Sequence, residues 1–204
     1  MPGRLFLTTP ISDLATTLGA TADPATEDEP RLNIAPGENV RVLTPEHQLV
    51  EMRWGLIPVG RKNARGRPVL ETIVNARSET VFDKSAFADV GRGVVPADGW
   101  YEWTGAKGRK TPWRISSKDK ALVYFAAITD VWAGPGGIKV PQVATVTCEP
   151  NGDVRDIHHR MGALLSADEI ETWLTAREEV AKSILRPLAD GLLSVEKMST
   201  FPGD

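Results

Sequence analysis

Fifteen prolines and eighteen glycines are spread through these 204 residues, so the chain is cut into short pieces and no long regular segment can run unbroken. Many of the pieces carry β-branched residues or alternate in polarity, as in Val40-Arg41-Val42-Leu43 and Val143-Ala144-Thr145-Val146-Thr147, which predicts a core built mainly of strands. Helical signals are fewer. They fall at Ile11 to Leu18, at Ser85 to Val90, at Ser166 to Ala176 and from about Glu178 to Leu185, where Arg186-Pro187 ends the run. Ser166 stands three residues before Glu169, the capping-box spacing, and Ile170, Trp173 and Leu174 fall on one face behind it. Exposed loops are expected at Thr21 to Pro30, Gly60 to Pro68, Gly105 to Thr111 and Gly134 to Pro141.

The length suits one domain, residues 1–204, with a substantial core. With 41% hydrophobic and 25% charged residues, and no apolar run near the ~20 residues of a membrane span, the reading is a globular protein with no membrane partner. Leu5-Phe6-Leu7 is too short for the apolar part of a signal peptide, so the cytoplasm is the expected location. Cys148 is the only cysteine, which excludes an intrachain disulfide, and with only three histidines no ligand spacing for a metal is present. No cofactor is expected, and a monomer is. The formal charge of -3 is uneven: Asp23 to Glu29 is acidic, whereas Arg53, Arg61, Lys62, Arg65, Arg67 and Arg77 meet only Glu71 between them. An anion-binding face is therefore compatible with an acidic chain.

Several groups can carry chemistry. If Met1 is removed, Pro2 presents a secondary amine; an α-amino group titrates at about 7.7–8.0, so roughly a tenth is neutral at pH 7 and able to attack an aldehyde. Otherwise Pro2 is only a stiff second residue. Asn75 and Arg77 lie two apart after Thr72-Ile73-Val74 and share one face if the strand continues, with an amide and a guanidinium fork suited to a sugar phosphate. A strand end with a salt bridge would look the same, and Glu79 is the structural partner of that set. Glu102, between Trp100 and Trp103, is poorly solvated, which raises a carboxyl toward neutral pH and makes it a proton shuttle; the alternative is an exposed Glu on an alternating strand. His158 and His159 are adjacent and, on an extended segment, point to opposite faces, so one of them at most serves a site; Arg160 beside them suits a phosphate. Six tryptophans are expected mostly in the core, with base stacking left open for Trp54 beside Arg53.

The order and spacing of these pieces resemble one family from Pro2 to about Trp173. The matching stretches are Gly3-Arg4, Leu32 to Pro36, Met52 to Pro58, Asn75 to Thr80, Val95 to Trp103, Phe125-Ala126-Ala127, Thr145-Val146-Thr147, Ile157-His158 and Arg160-Met161. The chain is similar to the SRAP proteins, SOS response-associated peptidase-like proteins that capture abasic sites in single-stranded DNA. The resemblance implies an α+β fold, a mainly antiparallel β pseudo-barrel with peripheral helices. It implies a site in which Asn75 orients the N-terminal amine, Glu102 moves protons and His158 helps to open the sugar ring. Arg4, Arg77 and Arg160 match positions that grip DNA, and Pro36 and Thr147 fall in the site lining. The family's nucleophile is a cysteine at the second position, whereas Pro2 stands here; no thiazolidine can form on it. Gly60 and Arg61 follow where the family tends to place a stacking tryptophan, and Gly162 replaces its proline after Arg-Met.

Three functions follow as expectations. The first is an abasic-site enzyme acting through a Pro2 iminium, with lyase-type strand cleavage in reach. The second is a binding module for abasic single-stranded DNA without covalent chemistry. The third is a peptidase, as the family's name has it. Cys148, at a predicted strand end with no amine nearby, is a weak substitute nucleophile.

Overall fold

The computed structural model describes residues 2–23, 28–58, 72–87 and 89–203. The expected loop at 60–68 and its basic residues lie outside these, as does part of the loop at 21–30. In chain order the elements are β1 (Leu5–Leu7), α1 (Ile11–Leu18), β2 (Thr21–Ala22), β3 (Arg31–Ile34), β4 (Asn39–Leu43), β5 (Gln48–Trp54), β6 (Asn75–Arg77), β7 (Gly91–Ala97), β8 (Gly99–Thr104) and β9 (Thr111–Ser117). They continue with β10 (Val123–Ala133), β11 (Lys139–Cys148), β12 (Met161–Gly162), β13 (Leu164–Leu165), α2 (Ile170–Thr175), α3 (Glu178–Ser183) and β14 (Leu193–Lys197).

Two sheets form. In the larger, β5, β4, β7, β10 and β11 pair in turn antiparallel, and a parallel pairing of β11 with β5 closes the ring. Closure leaves no free edge within that ring, which is how a barrel avoids edge-to-edge association. The smaller sheet runs β14-β9-β8-β1-β3. The expected α+β pseudo-barrel is thus the fold observed, with helices at its periphery and three parallel pairings, β2–β5, β5–β11 and β6–β11, among antiparallel ones. Among the described residues no helix is long and apolar enough to cross a membrane.

A single strand path joins the sheets: β7 belongs to the barrel, β8 to the smaller sheet, and Asp98 alone lies between them. The corner is held by Asp98, whose carboxylate accepts the backbone N–H and hydroxyl of both Thr8 and Thr9, at 2.6 and 2.7 Å for Thr8 and 3.2 and 2.6 Å for Thr9. Burial would raise its pKa, yet these four bonds outweigh burial and hold it low. Gly99, the next residue, leaves no room: a Cβ there would sit 2.1 Å from the Ile115 carbonyl oxygen and 2.6 Å from the Phe6 ring.

Local signals account for the helices. α1 spans the predicted residues and stops at Gly19, which takes the left-handed conformation at φ 57° that a side chain resists. The Ser166–Glu169 capping box forms, although the turn it opens is 3-10 before α2 begins, and Ile170, Trp173 and Leu174 are buried as expected. α3 ends before Arg186-Pro187, and Ser85–Phe87 is a single 3-10 turn rather than a helix to Val90. Of the loop expected at Gly134 to Pro141, only the first part is a loop, because Lys139 to Pro141 already belong to β11, with Pro141 opposite Val131. Trp54, Trp100 and Trp173 are among the largest fully buried side chains, and the Trp173 indole N–H reaches the Gly93 carbonyl at 2.9 Å.

Gly99→Ala should cost on the order of 2 kcal/mol or more, because the blocking atom is backbone and cannot move aside alone. Chemical denaturation of both proteins measures this; equal midpoints would show that the corner is not tight.

Candidate functional site

The site is assembled where the start of the chain crosses β6, β8 and β11. β1 pairs antiparallel with β8, Leu5 opposite Trp100, and the Tyr101 N–H donates to the Arg4 carbonyl at 3.0 Å. Continuing that register puts Gly3 across from Glu102. From the other side, β6 lies parallel to β11 with Asn75 beside Thr145 and Arg77 beside Thr147. Ala76 is buried between them, so Asn75 and Arg77 do share the opposite face, as the spacing predicts.

Asn75 connects the two halves. Its Nδ2 donates to the Pro2 carbonyl at 3.0 Å, and its Oδ1 accepts the Thr145 hydroxyl at 2.7 Å. Pro2 is buried, and its ring lies near Gly162, where a Cβ would stand 3.5 Å from Pro2 Cγ and 2.3 Å from the Phe125 ring. Thr147 ties the same short strand by its backbone, its hydroxyl donating to the Ala76 carbonyl at 3.1 Å. Thr145 was not singled out from the sequence, although the two-residue spacing of Thr145 and Thr147 against Asn75 and Arg77 is the signal that finds it.

Glu102 is only 3% exposed, and burial raises its carboxyl to about 7. The amino-terminal charge, which belongs to Met1, and the Trp100 indole pull the other way, less strongly than burial. Trp100 and Glu102 lie on one face of β8; Trp103 lies on the other, where it packs with Tyr101 and Phe201, so one indole rather than two adjoins the carboxyl. His158 moves oppositely. Its pKa is lowered to about 4, first by burial and then by the Met1 amino-terminal charge and His159, against the Arg160 backbone bond, which raises it.

The segment before Arg160 is turn rather than extended, so the two histidines do not point apart: their rings stack at 4.4 Å and 25°. His159 is exposed, whereas His158 is half-buried, and its Nδ1 stands 3.0 Å from the Arg160 backbone nitrogen. The Arg160 carbonyl oxygen stands 3.1 Å from the same Nδ1, so this nitrogen faces both the N–H and the C=O of Arg160, and the tautomer decides which of them it pairs with. The Arg160 guanidinium is buried and engaged: Nη2 donates to Glu79 at 2.9 Å and to the Thr147 carbonyl at 2.6 Å. That bond is the first cause of a lowered Glu79 pKa; Glu79, expected as the structural partner of the Asn75 and Arg77 set, is paired with Arg160 instead.

Of the remaining residues, Arg77 is exposed and makes no hydrogen bond or ion pair with a described residue, while Arg4 donates to Asn33 at 3.4 Å. Arg77 and Asn75 line a cleft of about 610 Å³ with Ile73, Lys84, Ser85 and Phe87. Trp54 is fully buried, its indole N–H on the Val74 carbonyl at 3.2 Å, and so presents no face for a base to stack on. Pro36 is exposed in the turn between β3 and β4 and joins this cluster through no described contact. Cys148 is buried and its thiol is pushed up to about 12 by burial, so no useful fraction is thiolate near pH 7. Among the described residues no group of three His, Cys, Asp or Glu side chains is placed to hold a metal ion.

A carboxyl whose folded-state pKa exceeds its unfolded one binds its proton more tightly when folded. Its stabilisation is complete below the unfolded value of 4.5 and is lost as pH rises through about 7. Wild type should therefore lose on the order of 3 kcal/mol relative to Glu102→Gln between pH 4 and 8. Denaturation of both proteins across that range measures it; a pH-independent difference would place Glu102 in solvent.

The SOS response associated peptidase (SRAP) family matches residues 1–201. The abasic site processing protein YoaM of Bacillus subtilis is 33% identical over 174 residues, which cover 80% of this chain and 75% of that protein. The abasic site processing protein HMCES of Gallus gallus is 33% identical over 183 residues, 76% of this chain and 54% of that longer one. A crystal structure of a protein from Bacteroides thetaiotaomicron superposes with a TM-score of 0.84 at 23% identity, covering 97% of this chain and 92% of that one, a likeness of fold. With the family matched over nearly its whole length, the chain belongs to the SOS response associated peptidase (SRAP) family.

Proposed function

We propose that this protein processes abasic sites in single-stranded DNA through a secondary amine that Pro2 presents once Met1 is removed. One observation carries the reading: Asn75 holds the Pro2 carbonyl, while the register of β1 against β8 sets Gly3 across from Glu102, whose carboxyl burial raises to about 7. A positioned amine beside a carboxyl able to give and take a proton at pH 7 is what imine chemistry needs. The names of the relatives YoaM and HMCES, both abasic site processing proteins, support the substrate.

In the ring-closed abasic sugar the aldehyde carbon is masked as a hemiacetal. As the C1′–O4′ bond breaks, the C1′ hydroxyl proton passes through water to the ring oxygen, leaving the open aldehyde; neutral His158, in the tautomer with its proton on Nε2, donates a hydrogen bond to that departing oxygen. The Pro2 nitrogen then bonds to C1′ as the carbonyl π bond breaks and the oxygen takes the Glu102 proton, giving a carbinolamine whose nitrogen still carries the amine's proton. Transfer of that proton to the hydroxyl expels water and leaves a cationic iminium, because the secondary amine then has no N–H left to release. The iminium acidifies C2′; removal of a C2′ proton by the Glu102 carboxylate lets the 3′ phosphate leave by β-elimination. No thiol is available to close a ring, so the link is transient and the reaction is of lyase type.

DNA contact falls to Arg77, exposed at the cleft with Lys84, and to Arg4 near the chain's start, each suited to a phosphate. Arg160 serves the site through His158, since its guanidinium is already spent on Glu79 and Thr147. An unpaired strand suits this geometry, because a duplex would hold the sugar in its stack, away from a buried amine.

Incubated with an oligonucleotide carrying one abasic site and a borohydride reductant, the native protein should form a DNA-linked product. Glu102→Gln should slow its formation by about 100-fold, and acetylation of the amino terminus should abolish it. Arg77→Ala should weaken binding several-fold and lower the slope of log K against log salt by about 0.7. Salt-sensitive binding with no trapped product would leave a DNA-binding role and reject the covalent one.

A further inference from the structure

The structure assigns to Thr145 the role of a positioning residue that fixes the Asn75 carboxamide; the inference rests on the reading of Asn75 as the residue holding the amine end of the chain. Thr145 is fully buried in β11, between Ala144 and Val146, at a place where a valine would fill the same volume. A hydroxyl buried there needs a partner, and it has two within reach: Asn75 Oδ1 at 2.7 Å and the Val74 carbonyl at 3.4 Å. One proton serves one good bond, and the shorter contact takes it.

The two ends of the amide are fixed by different means. The Pro2 carbonyl is an acceptor only, so it decides which end faces the chain's start: Nδ2 must point there. That contact alone leaves the amide free to swing about its broad terminal torsion. Thr145 holds the other end, and the parallel register that sets Thr145 beside Asn75 keeps the two in line. Its donation to Oδ1 also polarises the amide and strengthens the Nδ2–H bond to Pro2. Thr147, two residues on, holds only the backbone of β6, so the two threonines divide the work, one fixing the strand and the other its functional side chain.

Two measurements test this, both on the full chain. For covalent chemistry, the rate of borohydride-trapped product is read at saturating abasic oligonucleotide, beside the affinity for the same strand carrying a tetrahydrofuran analogue that has no aldehyde. Thr145→Val should slow the trapped product about tenfold and leave the analogue's affinity within about twofold, whereas Thr145→Ser should stay within about threefold of wild type. A Thr145→Val rate equal to wild type, or a Thr145→Ser rate as slow as that of Thr145→Val, would overturn the assignment, the latter because it would make the role one of packing. The second measurement needs no reaction: the side-chain NH2 resonances of Asn75 should be resolved and slowly exchanging in wild type and Thr145→Ser, and averaged or fast-exchanging in Thr145→Val. Unchanged resonances in Thr145→Val would reject the hold on Asn75 outright. If native protein formed no trapped product, the covalent function would fail while the resonances would still decide on Thr145.

Discussion

The parallel pairing of β6 with β11 is the interaction on which the site depends. β6 is three residues long, and a strand so short has little hold of its own; its register is set by Ala76, which must be buried, and by the side chains of Thr145 and Thr147. A slip of one residue would turn Ala76 outward and drive Asn75 and Arg77 toward the core, where neither an amide nor a guanidinium is tolerated without partners. β11 can play this part because it is itself fixed on both sides, by β10 along seven residue pairs and by the closing contact with β5. The barrel therefore does more than bury apolar surface. It presents a rigid edge against which a mobile-length element is held to within one hydrogen bond of the chain's start.

Burial acts on the two ionisable groups of the site with opposite signs and one result. It raises a carboxyl and lowers an imidazole, so at neutral pH both Glu102 and His158 are biased to the uncharged form. Arg160 lies beside this imidazole: its backbone N–H and carbonyl both face His158 Nδ1, and its side chain is locked by Glu79 and Thr147 instead of reaching outward.

Much of this was legible in residues with strong local signals. The Ile11 to Leu18 helix, the Ser166–Glu169 box and the β-branched runs of β4 and β11 each specify one local conformation, and each appears as read. Asn75 and Arg77 shared a face because a strand has a period of two. What was not legible depended on tertiary partners. Lys139 to Pro141 join β11 because β10 extends far enough to pair with them, which no local signal announces. The adjacent histidines stack because the chain turns before Arg160, so the rule for extended segments did not apply. Trp54 is enclosed by the barrel like most of the tryptophans, which removes the base stacking that its neighbour Arg53 left open. Thr145 escaped notice because its importance lies in a pairing partner some seventy residues earlier in the chain.

If the nitrogen of residue 2 is the reacting atom, as proposed, peptide mapping of the reduced protein–DNA adduct will locate the bond there. After nuclease digestion and proteolysis, the sugar remnant should be found on an amino-terminal peptide that begins with Pro2, with Met1 gone. A remnant on a lysine, or an adduct on protein that retains Met1, would contradict the claim.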